Sequence, residues 1–159
     1  MSKQNYTKIK DLVSGNEGSA YITVDGENRY FFELSKIEAN IEFTVLSRKL
    51  FGHRMKQHKI VGAEGKGSMS IYNVSPAALA IYNQYIKDGK MPEISIQTTN
   101  EDSQASIGRR TVVMRSCILA KVPVVYLDDS SEELNTSDID FTFDDMDNLE
   151  SYAFPENMR

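Results

Sequence analysis

One cysteine, two histidines and no long apolar run set the first limits on this 159-residue chain. A single thiol cannot close an internal disulfide, and Cys117 stands in an apolar run, where a small buried hydrophobe is the expected role. His53 and His58 are five apart in a basic stretch with no third ligand in view. Zinc ligands sharing a helical face stand at i and i+4, so neither a metal nor a cofactor is expected. No stretch approaches the ~20 apolar residues that a membrane-crossing helix needs. The opening MSKQNYTKIKDLVSG has no secretory apolar core, so synthesis and folding in the cytoplasm are the expectation.

Motifs for bond chemistry are equally sparse. Gly62-x-x-Gly65-x-Gly67-Ser68 resembles a phosphate loop only superficially, because the segment continues as a strand instead of opening a helix that would hold phosphate at its N-terminus. Asp138, Asp140, Thr142 and Asp144 alternate like the opening of a calcium loop. The sixth and twelfth positions are Phe143 and Leu149 where glycine and glutamate would be required. No serine elbow and no Cys-His pairing is present, so the chain is not expected to be an enzyme.

What the sequence does contain is alternation. Lys36 to Leu46 places Ile37, Ala39, Ile41, Phe43 and Val45 on one face and Glu38, Asn40, Glu42 and Thr44 on the other, the period of a strand with one buried side. Ile60 to Tyr72, IVGAEGKGSMSIY, repeats the pattern, with Ala63, Gly65, Gly67, Met69 and Ile71 opposite Glu64, Lys66, Ser68 and Ser70. Glycine weakens a strand unless it serves a bend, a bulge or a close approach, so several in one strand are shaping a sheet. Between these runs lies a long loop, 47–59, with five basic residues and two histidines. A loop of that length in a compact domain is a candidate contact surface. Its cations around Phe51 fit nucleic acid, an acidic surface of another subunit, or solvent.

The rest reads as further strands and one helix. Ala20–Val24 and Asn28–Leu34 flank Asp25-Gly26-Glu27, a hairpin signal. Ser75 to Gly89 is a helix with Ser75 as cap, Pro76 at its first position and Gly89 as its stop. Leu79, Ile81, Tyr82, Tyr85 and Ile86 make it apolar around much of its circumference; packing on its own sheet is expected, with cover by a neighbouring molecule as the alternative. Glu93–Thr99, Arg109–Lys121, a short edge strand Val124–Leu127, and a final strand Asp138–Asp144 with Ile139, Phe141 and Phe143 inward complete seven or eight strands.

Residues 1–159 are expected to form a single domain that buries roughly 70% of its unfolded surface. An N-terminal arm spans about 1–19, and an acidic C-terminal segment spans 128–159. Charge divides unevenly along it: residues 1–127 carry 17 basic and 12 acidic side chains, residues 128–159 one basic and 11 acidic. Attraction to another copy and a solvated tail are both open.

Five segments together resemble the XkdM-like tail tube family of PBSX-type defective prophages. They are GAEGKGSMSIYNVS at Gly62–Ser75, YIKDGKMPEISI at Tyr85–Ile96, NED at Asn100–Asp102, IGRRTVVMRSCIL at Ile107–Leu119 and DFTFDD at Asp140–Asp145, in the family's order over about half the chain. The resemblance implies a mainly β fold of two packed antiparallel sheets, a β-sandwich or barrel with one flanking helix. It implies a homo-hexamer whose rings stack into the inner tube of a contractile tail, from a phage, a prophage or a phage-tail-like bacteriocin.

The implied partners are the sheath protein, a baseplate hub or tube initiator, and tape measure and terminator proteins. DNA would pass through the channel where a genome is carried. The loop residues Arg48, Lys49, Phe51, Arg54 and Lys56 then become candidates for ring stacking. Glu38, Glu42, Glu64 and Lys66, on polar strand faces, become candidates for lining the channel. The reading from another class is a monomeric β-barrel binding module for a small ligand or nucleic acid.

Overall fold

The computed structural model describes residues 8–12, 18–30, 34–72, 77–125, 127, 129–130 and 136–156. It consists of two antiparallel sheets and one α-helix, arranged as two compact units.

The first unit holds β1 (Gly18–Val24), β2 (Glu27–Tyr30), β5 (Ile94–Glu101), β6 (Arg109–Arg115) and β9 (Asp145–Glu150), in the order β2-β1-β5-β6-β9. The β1–β2 hairpin closes over Asp25 and Gly26 at φ 49° and 86°. Two successive positive φ angles match the right-handed twist of the strands they join, which is why Asp-Gly suits this place. Asp25 also ties the turn to the start of β5: its N–H donates to the Glu93 carbonyl and its Oδ1 accepts from the Glu93 N–H, both at 3.0 Å. Register brings Ile22, Ile96 and Met114 into one cross-strand row, and all three are buried.

The second unit holds β3 (Leu34–Arg48), β4 (Gln57–Tyr72), β7 (Ile118–Leu119) and β8 (Thr136–Phe143), in the order β3-β4-β8-β7, with α1 (Ala77–Asp88) following β4. Its apolar face is built in rows: Ile37–Met69–Ile139, Ala39–Gly67–Phe141–Leu119 and Ile41–Gly65–Phe143. Gly65 and Gly67 are there because of the two phenyl rings. A Cβ at Gly67 would come within 2.4 Å of the Phe141 ring and 2.7 Å of the Glu38 carbonyl; one at Gly65 would come within 2.5 Å of the Phe143 ring. The glycines thus let the rings lie across β4, a close approach rather than a bend. Ile139, Phe141 and Phe143 face inward, as the alternation of β8 requires.

Several expectations are corrected. Arg109–Lys121 is not one strand: Ser116 takes a φ of 54°, and β6 and β7 on either side of it belong to different sheets. Residues 121–125 and 127 form no strand, and Val124, Val125 and Leu127 are exposed. Pro123 brings no N–H to such a ladder. Asp138–Asp144 is not the last strand, since β9 follows β8 after Asp144 alone and pairs with β6. The loop 47–59 is shorter than expected, because Arg48 pairs with Gln57, Ser47 with His58 and Leu46 with Lys59, leaving 49–56 as the turn.

The helix ends at Gly89, whose N–H donates to the Tyr85 carbonyl at 2.8 Å; the expected cap, Ser75 with Pro76, lies outside the described residues. The Tyr82 hydroxyl oxygen accepts from the Leu119 N–H at 2.7 Å and fastens α1 beside β7. Leu79, Tyr85 and Ile86 remain exposed, Ile86 by 79%. The expected packing of the helix on its own sheet is therefore only partial.

Candidate functional site: the long hairpin and its two faces

β3 and β4 pair over fourteen residue positions, from Leu34↔Ile71 to Arg48↔Gln57. β8 accompanies β4 only from Tyr72 to Gly65. Beyond that point the hairpin continues as a two-stranded arm, Glu42–Arg48 against Gln57–Glu64, and β3 stands at the outer edge of its sheet. A bulge between Thr44 and Val45 leaves Val61 without a partner in register and turns the outer arm.

The arm carries apolar side chains that no described residue covers. Phe43 is 58% exposed and Ile60 59%, with Ile41, Val45, Leu46 and Val61 also exposed. Ile41 and Phe43 continue the buried face of the same sheet outward, so one alternating pattern serves two environments. A long, exposed, apolar edge strand invites pairing with another chain, and folded proteins normally cover or charge such an edge.

All four residues expected to line a channel fall on the opposite strand face, and the structure brings three of them together. Glu42 stands directly across from Glu64, and Lys66 reaches Glu64 at 3.4 Å and Glu42 at 3.6 Å. The hydrogen bond to Glu64, then the charge of Glu42, raises the Lys66 pKa and keeps its ammonium charged. Glu38 lies further in, beside Ser68 and Asp140, with Lys36 at 4.0 Å. The face is polar and acidic, and its cations are held by carboxylates.

The loop candidates Arg48, Lys49, Phe51, Arg54 and Lys56 all cluster at the arm's tip, and every residue of 48–60 is exposed. None of the cations forms an ion pair with a described residue. His53 and His58 are likewise exposed, and no group of three metal-ligating side chains exists among the described residues.

Two polar clusters escaped the sequence reading. In one, the buried Asp11 accepts from the Ser106 N–H at 3.0 Å and the Ser106 hydroxyl at 2.7 Å, which hold its carboxyl below the usual range. The other lies on β9, where part of the acidic C-terminal segment is a paired strand and not a free tail. Arg115 bridges Asp145 and Asp147, while Arg109 Nε contacts Glu150 Oε2 at 2.6 Å and Thr111 donates to the same carboxylate at 3.0 Å. Only long-range pairing brings these residues together, and no local motif marks it.

The Glu150 pKa is lowered first by the hydrogen bond from Arg109, then by that from Thr111. A depressed carboxylate stabilises the fold above its unfolded pKa, about 4.3, and that contribution is lost as pH falls through the folded value. The protection factors of the β9 amides, taken against the intrinsic exchange rate at each pH, should therefore fall as pH drops below about 4. Arg109→Ala should remove the extra protection at neutral pH and flatten the pH dependence, as read by NMR. An unchanged pH profile in the variant would show that Arg109 does not anchor the strand.

Comparison with known proteins decides among the readings. The family model for phage tail tube proteins matches residues 5–150. The chain belongs to the phage tail tube family. Relatives from Bacillus subtilis strain 168 include the uncharacterized protein YqbM, 30% identical over 140 residues, and the phage-like element PBSX protein XkdM, 29% identical over 140. Each match covers 88% of this chain and 92% of the relative.

The tail tube fold is also similar to a chain of the PVC sheath-tube complex, an extracellular contractile injection system in its extended state. The TM-score is 0.65, over 89% of this chain and 95% of that one. At 9% identity that likeness is one of fold. This tail tube protein is thus a structural component of a phage-type tail. No helix among its described residues is long and apolar enough to cross a membrane.

Proposed function

We propose that six copies of this chain close into a ring through the edges of the β3-β4-β8-β7 sheet, and that the rings stack into the inner tube of a contractile tail or tail-like particle. The observation that carries the reading is the β3 edge, fifteen residues long and flanked by exposed Ile41, Phe43 and Val45. β7, at the other edge, covers only Phe141 and Thr142 of β8. Joining one copy's β3 to the next copy's far edge continues the sheet and removes both free edges. The apolar side of the arm is then covered by a neighbour, and the polar side with Glu38, Glu42, Glu64 and Lys66 turns to the channel. An acidic wall whose lysine is already held by two carboxylates repels passing DNA and offers it no adhesive patch.

The reaction supplied is mechanical rather than chemical. Backbone hydrogen bonds running from subunit to subunit keep the tube's shape while a sheath shortens around it. A hub or initiator, a tape measure and a terminator protein complete the proposed assembly, and DNA enters the channel where a capsid is attached. Synthesis in the bacterial cytoplasm is part of the same reading, as is contact of the arm's tip with the adjacent ring.

Electron microscopy of concentrated purified protein is the test. Sixfold rings or hollow tubes are expected, and a reconstruction that places Glu38, Glu42, Glu64 and Lys66 outside the lumen would remove their assignment. Rings of another order would overturn the hexamer.

A further inference from the structure

We propose that the inner end of the polar face, at Asp138 and Asp140 on β8, receives the basic hairpin tip of a second copy stacked head to tail. This deepens the reading that the tip contacts the next ring, and rests on it. The tip supplies Arg48, Lys49, Arg54 and Lys56, exposed and without ion pairs to described residues, around the exposed Phe51. Most other clustered carboxylates are already engaged: Glu42 and Glu64 by Lys66, Asp145 and Asp147 by Arg115, Glu150 by Arg109. Asp138 and Asp140 are exposed and have no cationic partner among the described residues; Asp138 Oδ1 accepts only the Ser70 hydroxyl at 2.5 Å.

Register fixes where the two charged ends lie. Asp140 is level with Ser68 and Glu38, Asp138 with Ser70 and Lys36, and Lys36 is itself occupied by Glu38 at 4.0 Å. From Glu38 to Arg48 along β3 is ten residues, roughly 33 Å at strand rise. That exceeds the physiological screening length of about 8 Å several-fold, so the two ends barely attract each other within one chain. The paired ladder also prevents the arm from folding back. A face positive at one end and negative at the other is complementary to a translated copy of itself, which is a heterologous, repeating contact and not a closed pair. Charges arranged this way also set the polarity of growth, because tip against tip and base against base both repel.

Charge exchange in the full-length protein tests the pairing. Tip reversal (R48E with K49E and R54E) and base reversal (D138K with D140K) should each shorten tubes about tenfold or more while circular dichroism reports a folded monomer. Combining the two sets should restore tube length. If both single sets shorten tubes and the combination does not recover them, the β8 aspartates are not the acceptor, although the tip still contacts a ring. If base reversal alone leaves tubes at normal length, the acceptor assignment also fails. If tip reversal leaves them unchanged, the stacking role of the tip itself fails.

Discussion

Gly67→Ala is expected to destabilise the second unit by about 3 kcal/mol, the upper end of the usual cost of overpacking a filled site. The added methyl would meet the Phe141 ring at 2.4 Å and the Glu38 carbonyl at 2.7 Å, so both a side chain and a backbone strand must move. Phe141 is among the most deeply buried side chains, and it stands in the row Ala39–Gly67–Phe141–Leu119 that crosses all four strands. Its displacement is therefore felt across the sheet, in an interior packed too tightly to absorb it.

Gly62→Ala provides the internal control. Its Cβ would lie 3.8 Å from Thr44, an ordinary contact, and the change should stay within about 0.5 kcal/mol, helped by the smaller entropy loss of alanine. Urea denaturation of both variants separates the two cases. Equal effects would mean that the glycines serve strand flexibility in general and not the passage of two rings. Adding Phe141→Leu to Gly67→Ala should recover only part of the loss, since the Glu38 carbonyl still obstructs.

How far the sequence exposed this fold depends on how local each determinant is. The Asp25-Gly26 turn was legible because its two positive φ angles demand those residue types. The faces of β3 and β4 were legible because a strand's period fixes them, and the observed register keeps Glu38, Glu42, Glu64 and Lys66 on one side. The break at Ser116 was not, because serine gives no signal for a positive φ and the β-rich run continues through it to Ile118 and Leu119. β9 is hidden within the acidic segment, since Asp145, Asp147 and Glu150 look like solvated charge until Arg109 and Arg115 are brought beside them. Alternation also says that Phe43 belongs on an apolar face but not whose surface covers it; in the proposed ring that surface belongs to a neighbouring copy.

The largest effect on assembly is expected from Phe43→Lys. In the single chain Phe43 is 58% exposed and faces Ala63 across the arm, so the substitution should leave monomer stability within about 1 kcal/mol. In the proposed ring the same position is covered. Losing a buried phenyl forfeits about 1.5–3 kcal/mol at each interface, and placing an ammonium on the joining strand is the device by which natural edge strands refuse partners. A cost of about 3 kcal/mol per contact corresponds to more than a hundredfold in association, and closure of a ring repeats it at every interface. The variant should remain a folded monomer at concentrations where the parent forms tubes, as measured by analytical ultracentrifugation alongside circular dichroism. Tubes of normal length from Phe43→Lys would mean that the apolar side of the arm stays open to solvent in the assembled tail. Another surface would then have to hold the ring together, and the exposed Leu79, Tyr85 and Ile86 of α1 would be the next to examine.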